Sequence, residues 1–153
     1  MSLLMDHCAT RIQEDNAFAY SAQFLVSYKK YLYISYHFNS SSGTLWCGMG
    51  NKAENDDQLG TYRDLDSCCR THDKCDRKVN AFAKEYGYRN WRPFTVSDCE
   101  CDSKFYNCLK AADEHPKAAY IVGKLFFNIL RMPCLRFNAY GDTATKGYSK
   151  KYK

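Results

Sequence analysis

Three cysteines, a histidine and an aspartate fall within eight residues in Cys68-Cys69-Arg70-Thr71-His72-Asp73-Lys74-Cys75, and no other stretch limits so sharply what this chain can become. On a helix of about 3.6 residues per turn, Cys68, His72 and Cys75 share one face, and Cys69 and Asp73 share the adjoining one. Such a helix serves cross-linking, metal binding, catalysis, or several of these together. In Cys99-Glu100-Cys101-Asp102-Ser103-Lys104-Phe105-Tyr106-Asn107-Cys108 the interval between Cys101 and Cys108 repeats that between Cys68 and Cys75. Each interval is two helical turns, roughly 10.5 Å of rise. Two antiparallel helices can therefore be joined twice, Cys68 to Cys108 and Cys75 to Cys101. A parallel pair, joined Cys68 to Cys101 and Cys75 to Cys108, meets the spacing equally well. In the antiparallel register His72 lies between the two bridges, with Asp102 near its level on the facing helix.

Nine cysteines in 153 residues point to an oxidising compartment. The other use of clustered Cys and His is zinc: Cys68, His72 and Cys75 with one more thiolate would make a non-catalytic intracellular module. Against it, the gaps at Cys99-x-Cys101 and Cys68-Cys69 are not those of paired zinc ligands. The length suits one domain with a moderate core. Net charge is +5, and most of it lies in residues 135–153, where Arg136, Lys146, Lys150, Lys151 and Lys153 outweigh Asp142. No apolar run is long enough to span a bilayer. Met1 to Asp15 carries Asp6, Glu14 and Asp15 where a secretory leader has basic and apolar segments. The cysteines outweigh that observation, and this N-terminus is expected not to be that of a native secreted precursor.

Trp46-Cys47-Gly48-Met49-Gly50-Asn51-Lys52, then Cys68 to Cys75, then Cys99 to Leu109, and finally Ala119-Tyr120-Ile121-Val122-Gly123-Lys124 through Cys134 together resemble the secreted phospholipase A2 family, group III or bee-venom type. The resemblance covers about residues 43–134. It implies the pairing Cys47–Cys69, Cys68–Cys108, Cys75–Cys101 and Cys99–Cys134, which leaves Cys8 free or available for an intermolecular bridge in a protein otherwise expected to be a monomer. A further disulfide of the bee-venom type beyond the position of Cys134 has no counterpart here. The resemblance implies His72 as general base, Asp102 as its hydrogen-bond partner, and Tyr120 as a hydrogen-bond donor to that aspartate. It also implies a calcium-binding loop, with Ca²⁺ held by the carbonyls of Trp46, Gly48 and Gly50 and the carboxylate of Asp73. The Gly48 amide would then be a second donor to the oxyanion. The implied reaction is hydrolysis of the sn-2 ester of glycerophospholipids at a membrane surface or micelle, by a secreted enzyme. A phospholipase-like protein that binds lipid or a receptor without turnover is the alternative.

The residues themselves are compatible with that chemistry. Glycines at 48 and 50 permit the backbone to turn carbonyls inward, and hard Ca²⁺ takes oxygen ligands. A neutral imidazole can accept a proton from attacking water while a carboxylate fixes its tautomer. Glu54 to Asp57 lacks EF-hand spacing and reads as a solvated loop.

The expected architecture is mainly α and disulfide-rich. Two long antiparallel helices, about Ser67–Tyr86 and Asp98–Ala112, are tied by disulfides, with a third over Lys117–Leu130 and a small β-hairpin outside the core. Asp64 to Ser67 offers N-caps to the first helix and Gly87 its stop. Trp91 and Phe94 in the connection could touch lipid but are expected to cover the core, and Phe126, Phe127, Ile129 and Leu130 in the third helix are expected to fill it. Residues 1–42 form an extension of uncertain structure, in which Tyr28 to Phe38 favours a strand and Asn39-Ser40-Ser41 is a glycosylation sequon. Residues 135–153 form a basic tail. Its alternating lysines and tyrosines suit anionic membranes or phosphates, but a solvated tail is expected, with no nucleic-acid partner.

Overall fold

The computed structural model describes residues 43–48 and 50–153, together with Lys29. Two compact units divide the chain, residues 1–34 and 35–153, and the described residues other than Lys29 belong to the second. The expectations for residues 1–42, for Cys8 and for the sequon thus lie outside the described residues.

Helix α1 is Arg63–Asp73. Asp64 and Asp66 stand in its first turn and Arg70 and His72 in its last, each complementing the helix dipole. It begins earlier than expected, so the two aspartates lie inside the helix rather than capping it. It also stops well short of Tyr86, and the reason is topological. Beyond Asp73 the chain extends into β1 (Lys78–Val79), which pairs antiparallel with β4 (Val96–Ser97). Between them lies a hairpin of β2 (Lys84–Glu85) and β3 (Tyr88–Arg89), with Glu85 opposite Tyr88. Its two-residue loop, Tyr86-Gly87, has φ of 52° and 71°. Positive φ at both loop residues is the twist-matched geometry for a tight hairpin, so Gly87 makes a turn where a helix stop was expected. Buried Asn90 locks this segment, its amide donating to the carbonyls of Val79, Asn80 and Phe94. Trp91 does not cover the core; it is 70% exposed with Arg89 over its ring.

Helix α2 is Cys99–Ala111, N-capped by the Asp98 side chain, which accepts from the Glu100 amide at 2.8 Å. Asp102, Phe105, Tyr106 and Leu109 are its buried residues, a spacing of three and four that defines one inward stripe. Helix α3 is Pro116–Gly123, with proline in its first turn. The expected helix to Leu130 widens after Gly123: Lys124–Ile129 forms a π-helical turn in which the Leu130 amide bonds to Leu125. Phe127 is buried and Phe126 packs against the core, whereas Ile129 is exposed.

Among the described residues the disulfides are Cys47–Cys69, Cys68–Cys108, Cys75–Cys101 and Cys99–Cys134. Cys68 and Cys75 meet Cys108 and Cys101 in reverse order along the chain. Because both are oxidised, the zinc module is overturned. Helices and small strand pairs tied by disulfides match the expected class, but with helices of 11 and 13 residues rather than long ones.

The basic tail is not a free, strand-less extension: it folds back onto the domain, with its lysines left exposed. Strands β5 (Pro133–Phe137) and β6 (Ala144–Tyr148) pair antiparallel, with Cys134 opposite Gly147. Tyr152 then buries its ring among Tyr106, Tyr120 and Phe127. The main core gathers Trp46, Leu65, Phe105, Tyr106, Leu109, Phe127 and Tyr152, and a smaller cluster of Val79, Val96, Leu135 and Ala144 lies under the strands.

Candidate active site

His72 stands in the last turn of α1 and Asp102 in the first turn of α2. The two bridges between these segments leave them facing each other, with His72 Nε2 2.7 Å from Asp102 Oδ1. Asp102 is 1% exposed and the His72 side chain 13%. Burial pushes the Asp102 carboxyl up, and its hydrogen bonds to His72 and Ser149 oppose that rise. When ionised, the Asp102 carboxylate can only accept, which would put the proton on Nε2 and leave Nδ1 to act as the base. Phe105 stacks on the imidazole at 4.4 Å and Phe126 meets it edge-on at 5.2 Å. Two aromatic walls fix the plane of the ring and keep bulk water from most of it.

Tyr120 is not brought to this pair. It is 48% exposed on α3, its ring 6.1 Å from that of Tyr152 and under Lys124. The second oxygen of Asp102 instead accepts from Ser149 Oγ at 3.4 Å.

The loop from Trp46 to Gly50 is held through its backbone. Asp66, completely buried, accepts from the amides of Leu45 and Trp46 and, across the loop, from Gly60, at 2.8–3.0 Å. Trp46 Nε1 donates to the Gln58 carbonyl, and Cys47 is bonded to Cys69. Sequence reasoning missed Asp66 as an anchor. Its signal was the spacing Asp66, Cys69, Asp73, which puts it on the helix face that carries the loop's disulfide and the candidate ligand. Gly50 has φ of 74°, a backbone that favours glycine. The Gly48 amide, expected as an oxyanion donor, donates to the Trp46 carbonyl at 3.1 Å.

Asp73 follows Cys69 by one helical turn, so the Cys47–Cys69 bridge draws the loop to its side of α1. Desolvation by surrounding protein pushes its carboxyl up to about 6, with His72 and Lys78 partly offsetting the effect. Asp73 is exposed, and a carboxylate together with the carbonyls of a glycine-bearing loop is a donor set that suits a hard divalent cation.

One further carboxylate and histidine cluster exists among the described residues: Asp64, Glu114 and His115. Its carboxylate is already engaged, accepting from the amides of Glu114 and His115 and lying 3.2 Å from His115 Nδ1. Burial works against ionisation of Asp64, but these bonds and one from the Leu65 amide hold its carboxyl below the usual range. It clasps the connection between α2 and α3 to the start of α1.

The sequence pattern of the family described as Phospholipase A2 matches residues 40–138. This chain belongs to the phospholipase A2 family. Among curated relatives, the group 3 secretory phospholipase A2 of Homo sapiens is 45% identical over 92 residues, which are 60% of this chain and 18% of that protein. A phospholipase A2 of Heloderma suspectum is 46% identical over 92 residues, 63% of its own length. That of Apis dorsata is 43% identical over 94 residues, 69% of its length. The chain thus spans under a fifth of the human relative and less than two thirds of the Heloderma one. The matched segment of this phospholipase A2 family member contains the loop, His72, Asp73, Asp102 and all eight paired cysteines.

Proposed function

We propose that the protein is a secreted, calcium-dependent phospholipase A2 that hydrolyses the sn-2 ester of glycerophospholipids presented at a membrane surface or micelle. The observation that carries this reading is the buried 2.7 Å contact of His72 with Asp102, held on a disulfide-tied pair of helices inside the family's matched segment.

In this mechanism Nδ1 of His72 takes a proton from a water molecule as the water oxygen attacks the ester carbonyl. Asp102 keeps the proton on Nε2 and stabilises the imidazolium that forms. As the tetrahedral adduct collapses, the bond from carbonyl carbon to glycerol oxygen breaks, and His72 returns its proton to that oxygen. The hydroxyl of water ends on the fatty acid and its proton on the lysophospholipid. Ca²⁺, when held by the carbonyls of Trp46, Gly48 and Gly50 and the carboxylate of Asp73, would supply positive charge beside the lipid phosphate and the developing oxyanion. The Gly48 amide can serve that oxyanion once it leaves the Trp46 carbonyl. Phe105 and Phe126 keep the imidazole in plane and shielded.

The test is fatty-acid release from phosphatidylcholine vesicles, with calcium and with excess chelator, by the wild-type protein and a His72→Gln variant. Release that requires calcium and vanishes in the variant is the expected result. Silence from oxidised, calcium-saturated wild type would leave a phospholipase-like binding protein.

A further inference from the structure

Asp102 has two carboxylate oxygens in a buried setting, and His72 occupies one. A carboxylate bonded at one oxygen can still turn about its terminal torsion, which is broad and soft. Such turning would let the imidazole drift with it. The second oxygen is met by Ser149 Oγ at 3.4 Å, and Ser149 lies beyond the family's matched segment, which ends at residue 138.

The fold delivers Ser149 from both sides. On one side the Cys99–Cys134 bridge ties the start of α2 to β5, and Gly147 of β6 pairs with Cys134. A methyl group on Gly147 would lie 2.9 Å from Cys99 Sγ and 2.8 Å from Arg136 Nε. Only a residue without a side chain lets β6 rest directly on the bridge. On the other side Tyr152 is clasped to Asn128: its amide donates to Oδ1 and its carbonyl accepts from Nδ2, both at 2.8 Å. Its ring lies on Gly123, where a methyl would meet ring carbons at 2.6 Å. Ser149 is the residue suspended between these two attachments. Burial pushes the Asp102 carboxyl up, and the bonds from His72 and Ser149 oppose that rise.

We propose that Ser149 is a positioning residue for the His72–Asp102 pair, fixing the second carboxylate oxygen in the role that family resemblance assigns to Tyr120. The kinetic consequence rests on the hydrolase reading above; the geometric one does not. Ser149→Thr and Ser149→Val are isosteres that differ in the hydroxyl, so comparing them separates the hydrogen bond from packing. In the full-length oxidised protein, Ser149→Val and Ser149→Ala are expected to lower kcat about three- to tenfold with KM unchanged, the loss of one neutral hydrogen bond. Ser149→Thr keeps kcat within about twofold, as does Tyr120→Phe. Independently of turnover, the His72 Nε2–H proton resonance is expected to shift in Ser149→Val and to hold its place in Ser149→Thr and Tyr120→Phe. Equal resonances and equal kcat in the Thr and Val variants would overturn the proposal, as would a Tyr120→Phe variant that alone moved them. If wild type releases no fatty acid, the hydrolase reading fails, and the resonance comparison still decides the role of Ser149.

Discussion

The two ends of the site are held in opposite ways. The His72–Asp102 end is fixed by side chains on two helices, bridged once between them and once from just beyond the end of α1, and by aromatic walls on the imidazole. The Trp46–Gly50 end is an irregular loop whose backbone amides converge on one buried carboxylate, Asp66, with a single disulfide beside it. Proton transfer needs two atoms kept at a fixed distance, which covalent ties supply. Binding a cation through carbonyls needs a loop that can adjust its peptide planes, which amide anchoring permits. In this structure the Gly48 amide is turned back onto the Trp46 carbonyl.

This contrast breaks most strongly at the imidazole. His72→Gln is expected to lower fatty-acid release by about 10³-fold, the scale of general-base catalysis, while leaving chemical stability within about 1 kcal/mol because the bridges persist. Comparable losses of activity and stability would mean that His72 is a packing residue. The opposite pattern is expected at the loop. Asp66→Ala strands the amides of Leu45, Trp46 and Gly60, and should cost about 3–5 kcal/mol in denaturant unfolding with disulfides intact. A change under about 1 kcal/mol would show that other groups hold the loop.

Gly123→Ala probes the tail that supports the dyad end without a covalent tie. The added methyl must displace the Tyr152 ring, an overpacking expected to cost about 1–3 kcal/mol and to expose Tyr152 to solvent quenching. The smallest effect concerns acidity at the loop end. The Asp73 carboxyl is raised from 3.8 to about 6, so the native fold favours its protonated form. Ionising it costs stability, a cost that grows as pH rises from near 4 through 6 in metal-free protein. Calcium must displace that proton below about 6, so calcium affinity measured by calorimetry should fall about tenfold per pH unit there and level off above. Affinity that stayed flat down to pH 5 would remove Asp73 from the ligand set.

Much of the dyad end was legible in the residues. Equal seven-residue intervals between cysteines allow an antiparallel or a parallel pairing, and only the antiparallel one, which the structure adopts, puts His72 near the level of Asp102. The end of α1 was not legible, since Lys74 to Tyr86 contains neither glycine nor proline. The chain leaves the helix because β1 and β4 pair and because Tyr86 takes positive φ beside Gly87, and long-range pairing leaves no local mark. Ser149 was hidden for a similar reason. A serine among lysines and tyrosines reads as tail, and only the Cys99–Cys134 bridge and the close approach at Gly147 carry it back to α2.

Cys68 and Cys69 are adjacent, yet they bond in different directions, one to Cys108 in α2 and the other to Cys47 in the loop. Neighbouring helical positions point about 100° apart, so exchanging these two partners would roll α1 about its axis and carry His72 away from Asp102. Eight cysteines can pair in about 105 ways. Under the proposed hydrolase reading, recovery of hydrolysis during oxidative refolding would count the molecules that have chosen correctly at this one dipeptide, and turnover would become an assay of isomeric purity.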